Sequence, residues 1–210
     1  MTGVQTCALP ICVRAHDYDN WVHLLVDNYS SDGTREIVED LASKDPRIRT
    51  VFCDEHLGML ANWNRALALV PNDSVYVRQL NVDDRLTPTC LSRTIDAAER
   101  NPDAVLVSSF FLNGRRRLPK AKHLTDTCIN GREVVRTIFL GGADYLAQPS
   151  VLLLLREAIR GWPDLYVTTG FPPGLASEPP LSQADKEGFL DTLLTANLVF
   201  VPEQLVLLRE

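Results

Sequence analysis

Two short acidic segments hold the side chains best suited to chemistry: Val26-Asp27-Asn28-Tyr29-Ser30-Ser31-Asp32-Gly33-Thr34 and Leu80-Asn81-Val82-Asp83-Asp84. Each closes an apolar run with the character of a buried strand. The adjacent carboxylates Asp83 and Asp84 repel one another unless a cation stands between them and a substrate. The four histidines, His16, His23, His56 and His123, are scattered and form no H-E-x-x-H pair. Any metal here must therefore be held by carboxylates, and oxygen ligands favour Mg²⁺ or Mn²⁺ over zinc. The two corners read as a divalent-metal and phosphate site. Each has a plainer use: Asp27 and Asp32 can cap a turn or helix, and Asp83-Asp84 can be a solvated turn.

The elements that must position these corners alternate along the chain. Val22 to Val26 is a short apolar run, followed by a helix with Ile37, Val38, Leu41 and Ala42 on one face. Ile48 to Phe52 reads as a second strand, and Gly58 precedes a helix on which Leu60, Trp63, Leu67 and Val70 recur at helical spacing. Val75 to Leu80 is a strand running into the acidic pair. Thr87 and Pro88 signal the cap and first residue of a third helix, and Ala104 to Leu112 is a further strand. Alternation of this kind implies an α/β fold with parallel β-α-β units. In such sheets ligands bind outside the carboxyl ends of the strands, where both corners fall.

The second half is less regular. Arg115-Arg116-Arg117 with Lys120 and Lys122 reads as a solvated basic loop, and Asn130-Gly131-Arg132-Glu133 opens a helix. Gln148 to Leu155 reads as a strand leading into a helix over 156–160. Gly170 to Pro180 is a Gly/Pro-rich loop. A helix around Ala184 to Ala196 precedes a hairpin-like pair, Leu198 to Val201 and Gln204 to Leu208.

Composition bounds the function. A chain of 210 residues with 45% hydrophobic and 23% charged residues suits one globular domain with a real core. A net charge of −6 argues against nucleic acid as a partner. The longest aliphatic run, Val151 to Leu155, is too short for a transmembrane segment. Residues 1–11 look like the translation of a common sequencing adapter, so residues 1–12 are set apart as non-native and 13–210 read as the domain. Cys53, Cys90 and Cys128 then remain, an odd number without C-x-x-C spacing, which suits reduced thiols in the cytoplasm.

The ordered trio of blocks, Val26 to Thr34, then Gly58 with Ala61-Asn62-Trp63-Asn64-Arg65-Ala66, then Leu80 to Asp84, resembles the family 2 glycosyltransferases of GT-A fold. The likeness continues weakly to Val201-Pro202-Glu203-Gln204-Leu205-Val206-Leu207-Leu208-Arg209. It implies a Rossmann-like, mixed but mainly parallel sheet flanked by helices, here lacking the usual first strand. It also implies inverting, metal-dependent transfer of a sugar from a nucleotide-diphosphate sugar, a UDP-sugar, to a hydroxyl of a saccharide or lipid-linked acceptor. That chemistry is at home in cell-wall or polysaccharide synthesis, in the cytoplasm or at the cytoplasmic face of a membrane.

Roles follow from the resemblance. Asp27 and Asn28 would contact uracil and ribose, Asn28 standing where the family often has a second acid. Asp83 would bind the ribose side and share the metal with Asp84, which bridges it to the diphosphate. Asp185, in Ala184-Asp185-Lys186-Glu187, would be the base that deprotonates the acceptor, with Glu178 and Asp191 as rivals. A nucleotidyltransferase of similar layout remains an alternative, as does an inactive fragment. With a first strand missing, about five buried apolar side chains at ~1.5–3 kcal/mol each are lost, so the chain is expected to be poorly folded or inactive. A phosphoacceptor receiver module fits less well, because its paired acids follow the first strand.

Overall fold

The computed structural model describes residues 12–159, 165–166 and 186–208. Strand β1 (His23–Asp27), helix α1 (Thr34–Lys44) and strand β2 (Ile48–Phe52) form a β-α-β unit, with β1 and β2 parallel and Asp27 opposite Phe52. Helix α2 (Met59–Ala68) then leads to the short strand β3 (Tyr76–Val77). After β4 (Arg85–Leu86), α3 (Cys90–Glu99) and β5 (Ala104–Asn113) come β6 (Arg116–Leu118), β7 (Thr127–Asn130) and α4 (Gly131–Phe139). β8 (Leu153–Leu155), α5 (Arg156–Ile159), α6 (Glu187–Leu193) and β9 (Asn197–Leu208) complete the described elements.

The larger sheet runs β3-β8-β5-β9-β4, with β6 on β5 and β7 on β9. It is mixed: β5 and β9 are parallel, and the other pairs are antiparallel. Its centre is apolar on both faces. Leu198 and Phe200 of β9 join Leu106 and Phe110 of β5 on one side, under Leu60 of α2, Val134 of α4 and Phe189 and Leu193 of α6. Val199 and Val201 join Val107 and Phe111 on the other, under Cys90, Ile95, Ala97 and Ala98 of α3. The alternation is the period-two geometry of a strand. Helices cover both faces, so Leu198 to Val201 can be a continuous apolar run, all four residues fully buried.

Several elements differ from their sequence readings. The strand predicted over 75–80 is observed only over Tyr76–Val77, and Pro149 opens a 3₁₀ turn (Pro149–Val151) just ahead of its partner strand. A proline has no N–H for the ladder, and the same turn shortens the strand expected over 148–155 to Leu153–Leu155. The hairpin-like pair at the end is instead one long strand. Pro202 and Glu203 are bulged out, so Ser109 pairs with Val201 and Phe110 with Gln204. The basic loop is a hairpin arm: Gly114 takes the positive φ of the turn, and Arg117 lies over the Phe110 ring at 3.7 Å. Helix α3 begins two residues beyond the expected Pro88, with Thr89 at its N-cap. Strand β7 has no counterpart among the expected elements.

Among the described residues, β1 pairs only with β2, and β3 only with β8. Side chains and loops connect the smaller unit to the rest. The Asp17 amide donates to Pro88 O, and Ser92 donates to the Asp17 carboxylate. Arg47 pairs with Asp45 and Asp19 and stacks over Trp21.

Candidate active site

Asp27 ends β1 and turns the chain. One of its carboxylate oxygens accepts from the Ser30 amide at 3.1 Å, while Tyr29 takes a left-handed φ of 68° and stays exposed. Asp32 caps locally: it accepts from the Thr34 hydroxyl at 2.6 Å and from the Thr34 amide. Those bonds, the hydroxyl first, hold its carboxyl below the usual carboxylate range. The capping use weighed for both acids is therefore present. For Asp27 it occupies one oxygen.

Asn28 is the best-anchored residue of this corner. Its amide nitrogen donates to Leu57 O at 2.8 Å, and its oxygen accepts from the Leu57 amide at 3.1 Å. The Arg65 guanidinium donates to the same oxygen at 2.6 Å and to Asn62 at 2.8 Å. A primary amide carries two N–H donors, so one hydrogen of Asn28 remains for a ligand. The sequence reading placed Asn64 and Arg65 in a motif block without roles. Arg65, on α2, fixes the loop that closes β1.

Asn64, one residue earlier, is buried and grips the backbone of Tyr166 from both sides, donating to its carbonyl at 2.7 Å and accepting from its amide at 2.9 Å. Trp63 lies edge-on to Tyr166, with ring centroids 5.0 Å apart, and packs against the core. It is a core residue, not an open sugar platform.

The second corner forms a turn between β3 and β4. The Asp84 amide donates to Asn81 O at 3.1 Å, and the Asn81 amide donates to the Ser150 hydroxyl at 3.0 Å. Arg78 anchors the approach, donating to Ser150 O and to Thr94. A charge inside the apolar run 75–80 was the sequence signal for this role, and it was passed over. Asp83 is exposed and Asp84 buried at 3% exposure, so the neighbouring acids face different surroundings. Asp27 closes β1 of the smaller sheet, whereas Asp83-Asp84 stand on the turn just before β4 of the larger one.

Among the described residues no group of three His, Cys, Asp or Glu side chains could hold a metal alone. Two adjacent carboxylates on a turn do suit an ion that takes its remaining ligands from water and phosphate, the usual way Mg²⁺ is held. Asp185 and Glu178 lie outside the described residues. Asp191 is exposed on α6. Lys186, just after Asp185, pairs with Asp144, whose other oxygen accepts from the Leu146 and Ala147 amides.

A family profile, "Glycosyl transferase family 2", matches residues 9–160 and so spans both acidic corners and the α2 block. The chain belongs to glycosyl transferase family 2. Solved structures resemble it in architecture. Staphylococcus aureus TarS 1–349, in structures with UDP and with UDP-GlcNAc, superposes with a TM-score of 0.73 at 16% identity, covering 98% of this chain. The mannosyltransferase PcManGT from Pyrobaculum calidifontis, in complex with GDP-Man and Mn²⁺, gives 0.59 at 15% identity over 98% of this chain. By sequence, this family 2 chain is 30% identical over 84 residues, 40% of its length, to a putative teichuronic acid biosynthesis glycosyltransferase, TuaG, of Bacillus subtilis. An uncharacterized Sinorhizobium fredii protein, y4gI, is 31% identical over 96 residues, 45% of this chain. The chain spans 32% and 10% of those two proteins, and 56%, 54% and 52% of the TarS–UDP, TarS–UDP-GlcNAc and PcManGT chains.

Proposed function

We propose that this chain carries the donor site for inverting transfer of a sugar from a UDP-sugar to the hydroxyl of a saccharide or lipid-linked acceptor. The observation behind the reading is that one family match spans both acidic corners and the α2 side chains that brace the first. Asp27 receives the uridine with its second carboxylate oxygen, and Asn28 with its remaining N–H. Asp83 reaches the ribose from its exposed position on the turn. Asp83 and Asp84 would hold Mg²⁺ or Mn²⁺, which supplies Lewis-acid neutralisation of the charge on the departing diphosphate. Asp185 takes the proton from the acceptor hydroxyl. The acceptor oxygen bonds to the anomeric carbon from one face as the bond to the diphosphate oxygen breaks on the other. UDP leaves with the electron pair, and the configuration inverts.

Cell-wall or polysaccharide synthesis is the proposed setting, in the cytoplasm or at the cytoplasmic face of a membrane. No described helix is long and apolar enough to cross a bilayer. The test is product analysis with UDP-sugars, Mn²⁺ and a saccharide acceptor. Release of UDP that disappears in Asp84→Ala supports the reading. Release of pyrophosphate would mark a nucleotidyltransferase instead, and equal turnover in Asp84→Ala would remove the metal role.

A further inference from the structure

Tyr29 breaks a local rule. It stands between Asn28 and Ser30 with a φ of 68°, and among the described non-glycine residues only Ala147 shares a positive φ. A bulky side chain is strained in that left-handed region, whereas glycine is not. Both neighbours hold the strain in place. The Asp27 carboxylate accepts from the Ser30 amide, and Asn28 is tied to Leu57 and Arg65. A glycine at position 29 would allow the same turn. The tyrosine side chain gives the fold little in return: it is 61% exposed, and neither ring nor hydroxyl has a hydrogen-bond or ring partner among the described residues. A strained and open residue without a partner points to function, because such outliers persist where a site uses them.

The position indicates which function. Tyr29 directly follows Asp27 and Asn28, the groups given to uridine above, and the inference rests on that reading. Asp27 keeps one carboxylate oxygen to accept, and Asn28 keeps one N–H to donate. Uracil carries N–H and carbonyl groups along its edge and a bare π face. Proteins that hold an unpaired base combine hydrogen bonds to its edge with an aromatic side chain on its face. Asp27 and Asn28 supply the edge groups, and the open ring of the next residue supplies the face. We propose that the Tyr29 ring stacks on the uracil of the donor. Consecutive Cα atoms are only ~3.8 Å apart, which keeps the three side chains within reach of one base. Because both neighbours are already bonded, little backbone freedom remains to be lost when the base arrives. Stacking is tolerant of base identity, so Tyr29 supplies affinity while the two edge groups choose uracil.

The experiment is isothermal titration calorimetry of the chain with UDP and with inorganic pyrophosphate, each in the presence of Mg²⁺. Pyrophosphate carries the diphosphate and no base. Tyr29→Gly should bind UDP about 5–150-fold more weakly, the range set by ~1–3 kcal/mol for one base on one aromatic ring. Tyr29→Phe keeps the ring and should bind UDP nearly as the wild type does. Both variants should bind pyrophosphate as the wild type does. Tyr29→Gly should also melt no lower than the wild type in the free state, since the left-handed position suits glycine. Unchanged UDP binding in Tyr29→Gly overturns the stacking and leaves the donor site standing. An equal loss for UDP and pyrophosphate, or a marked fall in the free melting temperature, assigns the ring to the fold and overturns the stacking too. A wild type that binds neither probe removes the donor-site reading and the stacking together.

Discussion

Asp83→Asn separates a binding role from a structural one. Asp83 is exposed on the turn before β4, so the free protein should change stability by no more than about 0.5 kcal/mol. Its effect should appear only with ligand. A ligand at a hundred times its dissociation constant stabilises the native state by about 2.7 kcal/mol. For a chain of 210 residues, at ~2–4 °C per kcal/mol, UDP with Mn²⁺ should raise the wild-type melting temperature by about 5–11 °C. If the lost carboxylate weakens binding about a hundredfold, the same concentration leaves only ~0.4 kcal/mol, or about 1 °C. Asp191→Asn, on the exposed face of α6, serves as the control and should keep the full shift. The assay is differential scanning fluorimetry with UDP and Mn²⁺ together, each alone, and both with EDTA. A full, EDTA-sensitive shift in Asp83→Asn would place the diphosphate and its metal away from this turn.

Three further outcomes follow from the same structure. Asn64→Ala removes the side-chain partner of both the Tyr166 amide and its carbonyl, in a fully buried residue; at ~1–3 kcal/mol for each lost bond the cost should be about 2–6 kcal/mol, seen as a lowered urea midpoint. Gly131→Ala would drive a Cβ into the carbonyls of Leu193 and Ala196; backbone cannot yield as a side chain does, so a loss above roughly 1–3 kcal/mol is expected in the same titration, with wild-type stability refuting the close α4–α6 contact. Burial, with a smaller contribution from the nearby His16, lowers His23 from 6.5 to about 4. The fold therefore favours neutral His23, and stability is complete above the unfolded value and falls as pH drops from about 6.5 toward 4, by about 3 kcal/mol in all. His23→Leu should flatten that part of the acid limb in urea midpoints measured against pH, and an unchanged slope would assign it to other groups.

Apolar periodicity carried the first half of the fold because each run there matches one uninterrupted element. Helices α1 and α2 fall where Ile37, Val38, Leu41 and Leu60, Trp63, Leu67 recur, β1 ends at the expected corner Asp27, and β2 spans Ile48–Phe52 as expected. Periodicity failed where a single residue cuts a ladder. Pro149 divides one apolar run into a 3₁₀ turn and a strand. Pro202 has the opposite effect: it reads as a turn, yet β9 continues past it through a bulge, because the parallel partner β5 pairs on both sides. Strand β7 is short and half-exposed, and its pairing with β9 is non-local, so nothing in Thr127–Asn130 by itself announces it.

The site divides in the same way. The acidic corners were legible because each follows an apolar run; the first closes β1, and the second falls on the turn between β3 and β4. What the corners need to stay in place was not legible, since it depends on contacts far apart in sequence. Arg65 reaches Asn28 across 37 positions and Ser150 reaches Asn81 across 69. In both cases a polar side chain on a well-packed element holds a loop that has no regular hydrogen bonding of its own. Asn28 shows why this matters for chemistry. A carboxylate in its place would accept from Arg65 and the Leu57 amide but could not donate to Leu57 O. The amide makes three bonds, two to the Leu57 backbone ahead of α2 and one to Arg65 on α2, and keeps one N–H for a ligand. An amide therefore suits this bracing where the family often has an acid, and Asp27 is left as the carboxylate of the corner.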